Sequence, residues 1–411
     1  MKNIKCGLLG EHLGHSFSPQ IHKQLADYSY ELFEMPVEEV EGFLKSDRFD
    51  SMNVTIPYKK TVMPFLDEIS DEARRIGSVN TVTHLEDGRL RGDNTDYFGF
   101  SYMIDKSKIA IEGKKVLVLG SGGASETAQT VCADRGARKI VVISRSGENN
   151  YENLYLHADA EVIVNTTPVG MYPKNGEAAV KLEDFPALEG VLEMIYNPAK
   201  TKLLLDAERL NIPHINGLCM LVAQAKRACE IFLGESIADE KIDKITAEIA
   251  AQTGNLILVG MPGCGKSTVG ELLAEKLGRE LIDTDAMIVE KAGMPIPEIF
   301  SHFGEEHFRA IEHECVCEAG KQSGKIIATG GGVVTRQENY APLHQNGKIF
   351  FINRKTEELP TDGRPISQST DLSELYKKRL PMYKSFCDKE VSNNRPIEQT
   401  VCEIIKLYGR Y

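Results

Sequence analysis

NLILVGMPGCGKSTVG, residues 255–270, decides how the chain is read. A short apolar run leads into GMPGCGKST (260–268), which fits the phosphate-loop pattern GxxxxGK[ST]. Glycines let backbone N–H groups close around phosphate oxygens. Lys266 brings a point charge to the β and γ phosphates, and Ser267 offers its hydroxyl to Mg²⁺. Such a loop needs a strand before it and a helix after it. Val269, Leu272, Leu273 and Leu277 fall on one helical face, and Gly278 suits a C-terminal cap. Gly260, Met261, Pro262, Gly263, Cys264, Gly265 and Thr268 complete the expected ATP cradle. The loop starts more than halfway along a chain of 411 residues, whose length suits two or three domains.

The bulk numbers exclude some partners. A net charge of −12 argues against a general nucleic-acid binder, which needs a basic face. Nine dispersed cysteines without a CxxC pair read as reduced thiols of a cytoplasmic protein. The opening MKNIKCGLLGEHLGHS has no signal-peptide run, and no stretch reaches the length of a membrane span. Neither nucleic acid nor membrane is expected as a partner.

Strand-like runs alternate with helix-period stretches almost throughout, which indicates α/β architecture with largely parallel sheets. KVLVLG (115–120) and KIVVIS (139–144) flank a helical stretch as a βαβ unit, and AEVIVNTT (160–167) adds a strand. A polar helix within 234–254 separates this series from the next, with a boundary near 250.

Behind the phosphate loop lies a set of charged residues. LIDTDAM (281–287) presents Asp283 and Asp285 two apart; strand alternation sends both to one face, one behind Mg²⁺ and one to accept a proton from an attacking hydroxyl. Arg309 and Glu312 stand one helical turn apart and can pair, while a free Arg fork facing a cleft would grip a carboxylate. IIATGGGVV (326–334) runs a strand into three glycines; Arg364 and Arg379 follow.

In this order the phosphate loop, DTD, FRxIE, GGG, RP and RxPxY resemble the shikimate kinase family over about 255–411. The resemblance implies that Lys266 and its loop hold ATP, and that Ser267 and Asp283 serve Mg²⁺. It implies Asp285 as the base, and Arg309, Arg379 and the backbone of Gly330, Gly331 and Gly332 as the shikimate site. Arg364 would be the lid arginine. The segment before it, 353–365, is short and carries Pro360 and Gly363, so a compact lid loop is expected.

The first half has a second glycine loop, VLVLGSGGASET (116–127), after a strand and opening a helix. Glycine amides at a helix N-terminus favour a pyrophosphate. The next strand ends in Ser144-Arg145 where an acid would bind the ribose of NAD; this favours NADP, while Glu148 keeps NAD open. Ser16 and Ser18 are expected on one side of an extended segment, with Asn53, Thr55, Asn80 and Gln224 in other polar clusters suited to a polyhydroxylated ligand. A Lys beside an Asp can relay the proton of an alcohol, although a free lysine titrates at about 10.4.

SxS, NVTxPxK, VNT, DNTD, GxGGAS, NTTPxGM, YNPxxTxLL and GxxMLVxQA, over about 4–250, resemble the shikimate dehydrogenase family. The resemblance implies that Ser16, Ser18, Asn53, Thr55, Asn80, Asp96, Tyr196 and Gln224 hold shikimate or 3-dehydroshikimate, with Lys59 and Asp96 handling the proton. Gly120, Gly122, Gly123, Ala124, Ser144, Arg145 and Gly217 would hold NADP(H). Glu126 departs from the basic residue common after this loop.

The expectation is a bifunctional enzyme, monomer or homodimer. Residues 1–100 with 217–250 form a shikimate-binding domain, 101–216 a Rossmann NADP domain and 251–411 a P-loop kinase with a helix-flanked parallel sheet. A quinate-acting or dual-specificity dehydrogenase is a rival for the first half. A sensor that kept both folds would be expected to lose Lys59, Asp96, Lys266 or Asp285; all four are present.

Overall fold

The structure, a computed structural model, describes residues 4–14, 16–359 and 372–409. The chain divides into two compact units: Met1–Val169 with Ala178–Tyr196 and Asp206–Ala247, and Gly170–Glu177 with Asn197–Leu205 and Glu248–Tyr411.

The first unit holds two sheets. One has six strands in the spatial order Ser29–Glu34, Lys5–Gly10, Ser51–Val54, Thr81–His84, Leu90–Asp93, Glu68–Ile69. It is mixed, since Thr81–His84 runs antiparallel to both neighbours; the expectation of largely parallel sheets holds for the other two. The short polar turn at residues 85–89 returns the chain directly, which only antiparallel strands allow. The second sheet is all parallel, in the order His214–Ile215, Gly190–Glu193, Val162–Asn165, Lys115–Leu119, Lys139–Ile143. Lys115–Leu119 and Val162–Asn165 are buried at every position. Strands covered on both faces read as continuous apolar runs, which is why the sequence exposes them so clearly.

The second unit carries five parallel strands in the order Leu281–Asp283, Ile326–Ala328, Asn255–Val259, Gly347–Asn353, Lys389–Ser392. Asn255–Val259 is central and wholly buried. Helix Lys266–Leu277 follows the phosphate loop and packs Val269 and Leu273 into the core. Gly278 ends it with φ +62°, and its amide donates to the Ala274 carbonyl. Of the segment 353–365 expected as a compact lid loop, residues 353–359 are described, with a 3-10 turn at Thr356–Glu358, and Arg364 lies outside the described residues.

Helices Asp96–Ser107 and Leu218–Leu233 approach closely in the first unit. A Cβ on Gly99 would stand 2.7 Å from the Met220 carbonyl oxygen and 3.0 Å from the Gln224 Cβ. Glycine inside a helix costs about 1 kcal/mol against alanine, so a tight crossing outweighs propensity here. Gly99→Ala is therefore expected to destabilise this unit, by about 1–3 kcal/mol through overpacking, read as a lower melting temperature. A rise in melting temperature would show that the crossing is looser than described.

Candidate functional site

Each unit contains a large cavity lined by residues singled out above. The first, of about 580 Å³, is lined by Ser16, Ser18, Asn53, Thr55, Lys59, Asn80, Asp96, Tyr196 and Gln224, with Ala124 and Gly217. Strand Ser51–Val54 carries Asn53 to it, and the Tyr30 hydroxyl donates to Asn53 Oδ1 at 2.8 Å. The chain then turns through Lys59, whose carbonyl accepts the Val79 amide at 2.8 Å. That bond ties the lysine turn to the segment bearing Asn80. Asn80 Oδ1 accepts the Thr95 amide at 2.8 Å, and Asn94 Oδ1 accepts the Asp96 amide at 3.0 Å. Two buried asparagines thus fix Asp96 at the start of its helix. Lys59 Nζ donates to Asp96 Oδ2 at 2.6 Å, with the side chains 26% and 15% exposed. The pair is reachable from the cavity yet sheltered enough for a strong charge-assisted bond.

Ser16 and Ser18 both reach the cavity, but not from an extended segment. Ser18 opens helix Ser18–Leu25, and its amide donates to the Ser16 hydroxyl at 3.2 Å. Pro19 pre-sets the first helical turn, which overrides the extended reading. Tyr196 sits edge-on to Phe17 at 6.0 Å, and burial pushes its phenol up. The sequence reading passed over His22, which stacks on Tyr30 at 4.1 Å behind Asn53. Full burial pulls its imidazole down to about 3, so it stays neutral. Its position four residues after Ser18, on one helical face, was the available signal.

The glycine loop leaves Lys115–Leu119 where the neighbouring strands lie to opposite sides, the crevice where parallel sheets take ligands. Gly120 has φ +106°, and a Cβ there would come within 2.7 Å of Thr166 Oγ1. Gly122 caps helix Gly123–Asp134. Of the expected cofactor residues only Ala124 and Gly217 line the cavity; Gly120, Gly122, Gly123, Ser144 and Arg145 lie outside its lining. Arg145 is exposed just past the strand end. A Cβ on Gly217 would collide with the Met194 carbonyl. Beneath the crevice, the buried Glu193 accepts from Asn165 Nδ2 at 3.0 and 2.9 Å. Asn165 Oδ1 in turn accepts from the Thr167 amide and hydroxyl at 3.0 and 2.7 Å.

The second cavity, of about 450 Å³, takes a contribution from the end of four of the five strands in its sheet. Pro262, Gly263, Gly265, Lys266, Ser267 and Thr268 form one wall. Lys266 is buried and donates to the Gly260 and Met261 carbonyls at 3.0 and 3.1 Å. Gly260, Met261 and Cys264 lie beneath the wall, outside the cavity lining. Asn393, after the fifth strand, donates to the Cys264 carbonyl at 2.8 Å and braces the loop.

Asp283 and Asp285 both line this cavity, though not by strand alternation. The strand stops at Asp283, whose carboxylate caps helix Thr284–Ala292 by accepting from the Asp285 and Ala286 amides. Aspartate competes for nearby amides, and this ends the strand one residue after Ile282. Ser267 Oγ donates to Asp283 Oδ2 at 2.9 Å. A hydroxyl and a carboxylate this close suit Mg²⁺, which takes oxygen ligands and keeps places for phosphate.

Arg309 and Arg379 line the opposite part with Gly330, Gly331 and Gly332. Arg309 donates to Glu312 at 2.8 Å, the pair that their spacing predicts, and also to Glu305 at 3.0 Å. A buried guanidinium must be paired, so the chain supplies carboxylates one turn to either side. Burial pushes the Glu312 carboxyl above its ordinary range, against the pull of Arg309. A side chain on Gly332 would strike the Arg309 guanidinium. Arg379 and Tyr383, one turn apart, both donate to the Gly331 carbonyl, at 3.2 and 2.6 Å. The role of Tyr383 was visible only as the last letter of RxPxY, and Arg354 carried no motif signal. Arg364 lies outside the described residues.

Comparison with known proteins agrees with this division. The shikimate kinase family profile matches residues 262–408, and that of the shikimate dehydrogenase substrate binding domain matches 8–82. The chain is 38% identical over 246 residues to a shikimate dehydrogenase (NADP(+)) of Clostridium beijerinckii, covering 55% of this chain and 90% of that protein. A shikimate dehydrogenase (NADP(+)) of Methanosphaera stadtmanae is 33% identical over 273 residues, 59% of this chain and 96% of that one. Among solved structures, a chorismate mutase/shikimate 5-dehydrogenase fusion protein of Clostridium acetobutylicum superposes with a TM-score of 0.58 at 37% identity, covering 61% of this chain and 98% of that one. The shikimate 5-dehydrogenase of Thermus thermophilus, in complex with NADP(H) and shikimate, gives a TM-score of 0.55 at 29% identity over 60% of this chain and 99% of that one.

The Asn165–Glu193 pair yields a donor–acceptor test. Glu193→Gln sets an amide donor against the Asn165 donor, and NADPH binding is expected to weaken about tenfold, as for a buried bond left unmade. Adding Asn165→Asp restores complementarity and should recover the affinity, measured by calorimetry. A single variant that binds as tightly as the parent would detach this pair from the cofactor loop.

Proposed function

The chain belongs to the shikimate dehydrogenase family and carries a shikimate kinase domain, which makes it a bifunctional enzyme of the shikimate pathway; on that premise we propose that it reduces 3-dehydroshikimate to shikimate with NADPH and then phosphorylates shikimate with Mg-ATP. The observation that carries this reading is the pair of cavities, each within its own unit: the first gathers the nine residues expected to hold substrate, and the second gathers Lys266, Ser267, Asp283, Asp285, Arg309, Arg379 and the Gly330–Gly332 run.

In the reductive step, the Lys59 ammonium, oriented by Asp96, gives its proton to the carbonyl oxygen as that oxygen becomes the alcohol. NADPH supplies the hydride when bound. Ser16, Ser18, Asn53, Thr55, Asn80, Tyr196 and Gln224 hold the ring hydroxyls and carboxylate. Gly120, Gly122, Gly123 and Ala124 receive the pyrophosphate, Ser144 and Arg145 the 2′-phosphate, and Gly217 the nicotinamide end. In the second step, Asp285 takes the proton of the attacking hydroxyl, and Lys266 offsets charge on the transferring group. Ser267 and Asp283 would hold Mg²⁺, which draws charge from the phosphate oxygens. Arg309 and Arg379 grip the carboxylate of shikimate, which displaces the half-exposed Glu305 from Arg309.

The shikimate-binding part is assigned to 1–100 with 217–250, the NADP part to 101–216 and the kinase to 251–411. The six-stranded sheet falls within 5–93 and the parallel sheet of the first unit within 115–215, which supports this division. Among the described residues no helix is long and apolar enough to cross a membrane. A cytoplasmic monomer or homodimer is proposed, supported by cysteines that are all free.

Given 3-dehydroshikimate, NADPH and Mg-ATP, the purified chain should yield a product carrying two added hydrogens and one phosphate, read by mass spectrometry. Shikimate without phosphate would remove the kinase step, and no conversion with NADPH or NADH would remove both. Lys59→Ala should lower reduction at least about a hundredfold, as for loss of a general acid, with phosphorylation kept. Asp285→Asn should do the reverse. Loss of both activities from either substitution would contradict two separate sites.

A further inference from the structure

We propose that Arg354 binds the phosphate chain of the nucleotide in the second cavity, a role that rests on the phosphorylation reading above. No motif of the kinase resemblance includes it. It lines the cavity together with Gly263, Gly265 and Lys266.

Its position follows from the sheet. Gly347–Asn353 runs parallel to the central strand, with Phe351 opposite Val259. The Ile352 carbonyl oxygen lies only 2.5 Å from where a Cβ of Gly260 would stand. The chain therefore passes against the entry of the phosphate loop, and Arg354 leaves the strand two residues later. The strands that deliver Asp283 and the Gly330–Gly332 backbone lie on the other side of the central strand. Arg309 and Arg379 are bonded on that far side, to Glu312 and to the Gly331 carbonyl. Arg354 thus flanks the loop away from the carboxylate-gripping arginines.

Its bonding leaves capacity for a ligand. Nε donates to Glu358 at 3.3 Å, and the two terminal nitrogens carry no hydrogen bond among the described residues. Glu358 is 41% exposed. An exposed pair of this kind contributes little, so a phosphate displaces it at small cost. A guanidinium matches two phosphate oxygens at once. The charge also reaches the base of the loop: burial pushes the Cys264 thiol up, while Lys266 and Arg354 pull it down.

The test uses the full chain with Arg354→Ala, Arg354→Lys and Glu358→Gln. Calorimetry with Mg-ADP reads binding without turnover, and steady-state kinetics separate KM for ATP from KM for shikimate. For Arg354→Ala, ADP affinity should fall roughly ten- to a hundredfold, the span of a lost charged hydrogen bond, and KM for ATP should rise with it. KM for shikimate, the melting temperature and the dehydrogenase rate should hold. Lysine should recover part of the loss, and Glu358→Gln should bind ADP as tightly as the parent or more so. ADP affinity for Arg354→Ala within about twofold of the parent overturns the proposal; so does a loss that falls on KM for shikimate. A parent chain that binds no ADP and forms no phosphorylated product overturns the phosphorylation reading itself, an outcome distinct from a silent Arg354.

Discussion

A parallel strand buried on both faces has no side chain to spare for chemistry. Every residue along it meets either a neighbouring strand or a covering helix, and its N–H and C=O groups are consumed by the ladder. Polar function is thereby pushed to the loops, and the carboxyl ends of the strands all face one edge. The kinase unit obeys this constraint at each strand: Asp283, the Gly330–Gly332 run, the phosphate loop, Arg354 and Asn393 all stand at or just past such an end. The glycine loop at Gly120 and the Asn165–Thr167 turn do the same in the first unit. Interior strands of either kind can change by a methyl group without touching the site, whereas the two or three residues after each one cannot.

Loops placed this way have to be made rigid by something other than the sheet. The chain uses short side-chain bonds to backbone for this. Asn80 and Asn94 hold the turn before Asp96, Asn393 holds the Cys264 carbonyl, and Tyr383 with Arg379 holds the Gly331 carbonyl. Each is largely buried, where an amide or hydroxyl left without a partner would cost about 1–3 kcal/mol. These contacts therefore select one loop conformation more than they add stability. Glycine does the complementary task, by letting backbone come where a side chain would strike Arg309 or the Met194 carbonyl.

Sequence legibility follows the same physics. Buried parallel strands, helix caps such as Gly278 and the glycine loops were readable because each depends on residues adjacent in the chain. The nine residues expected to hold substrate in the first half were readable as motif members, and all line one cavity. What was misread depended on competition between local structures. Asp283 was taken as mid-strand, yet its carboxylate captures the next amides and starts a helix. Ser18 was taken as extended, yet Pro19 begins a helix there. The Arg309–Glu312 pair is legible from its spacing, whereas the second partner, Glu305, stands at a helical spacing that also fits a solvated face. Asn393 and Arg354 left no signal of this sort, since the loop residues they meet are distant in sequence and only the fold assembles them.

The two cavities differ in charge, and the difference matches the chemistry proposed for each. The first is lined by apolar side chains and by neutral hydroxyl and amide groups around one lysine and one aspartate, whose charges cancel. Once Lys59 had given its proton to the carbonyl oxygen, the pair would be left with the charge of Asp96 alone, and the partly exposed Lys59 would be reprotonated from solvent. The second is lined by Lys266, Arg309, Arg354 and Arg379 against Asp283, Asp285 and Glu312. Four cations thus face three carboxylates, so the balance is positive. A cavity of that sign without a ligand would repel itself, so its cations are parked on backbone carbonyls and on the exposed Glu305 and Glu358. Those parking contacts are weak where they are exposed, and the proposed polyphosphate and carboxylate would replace them with stronger ones.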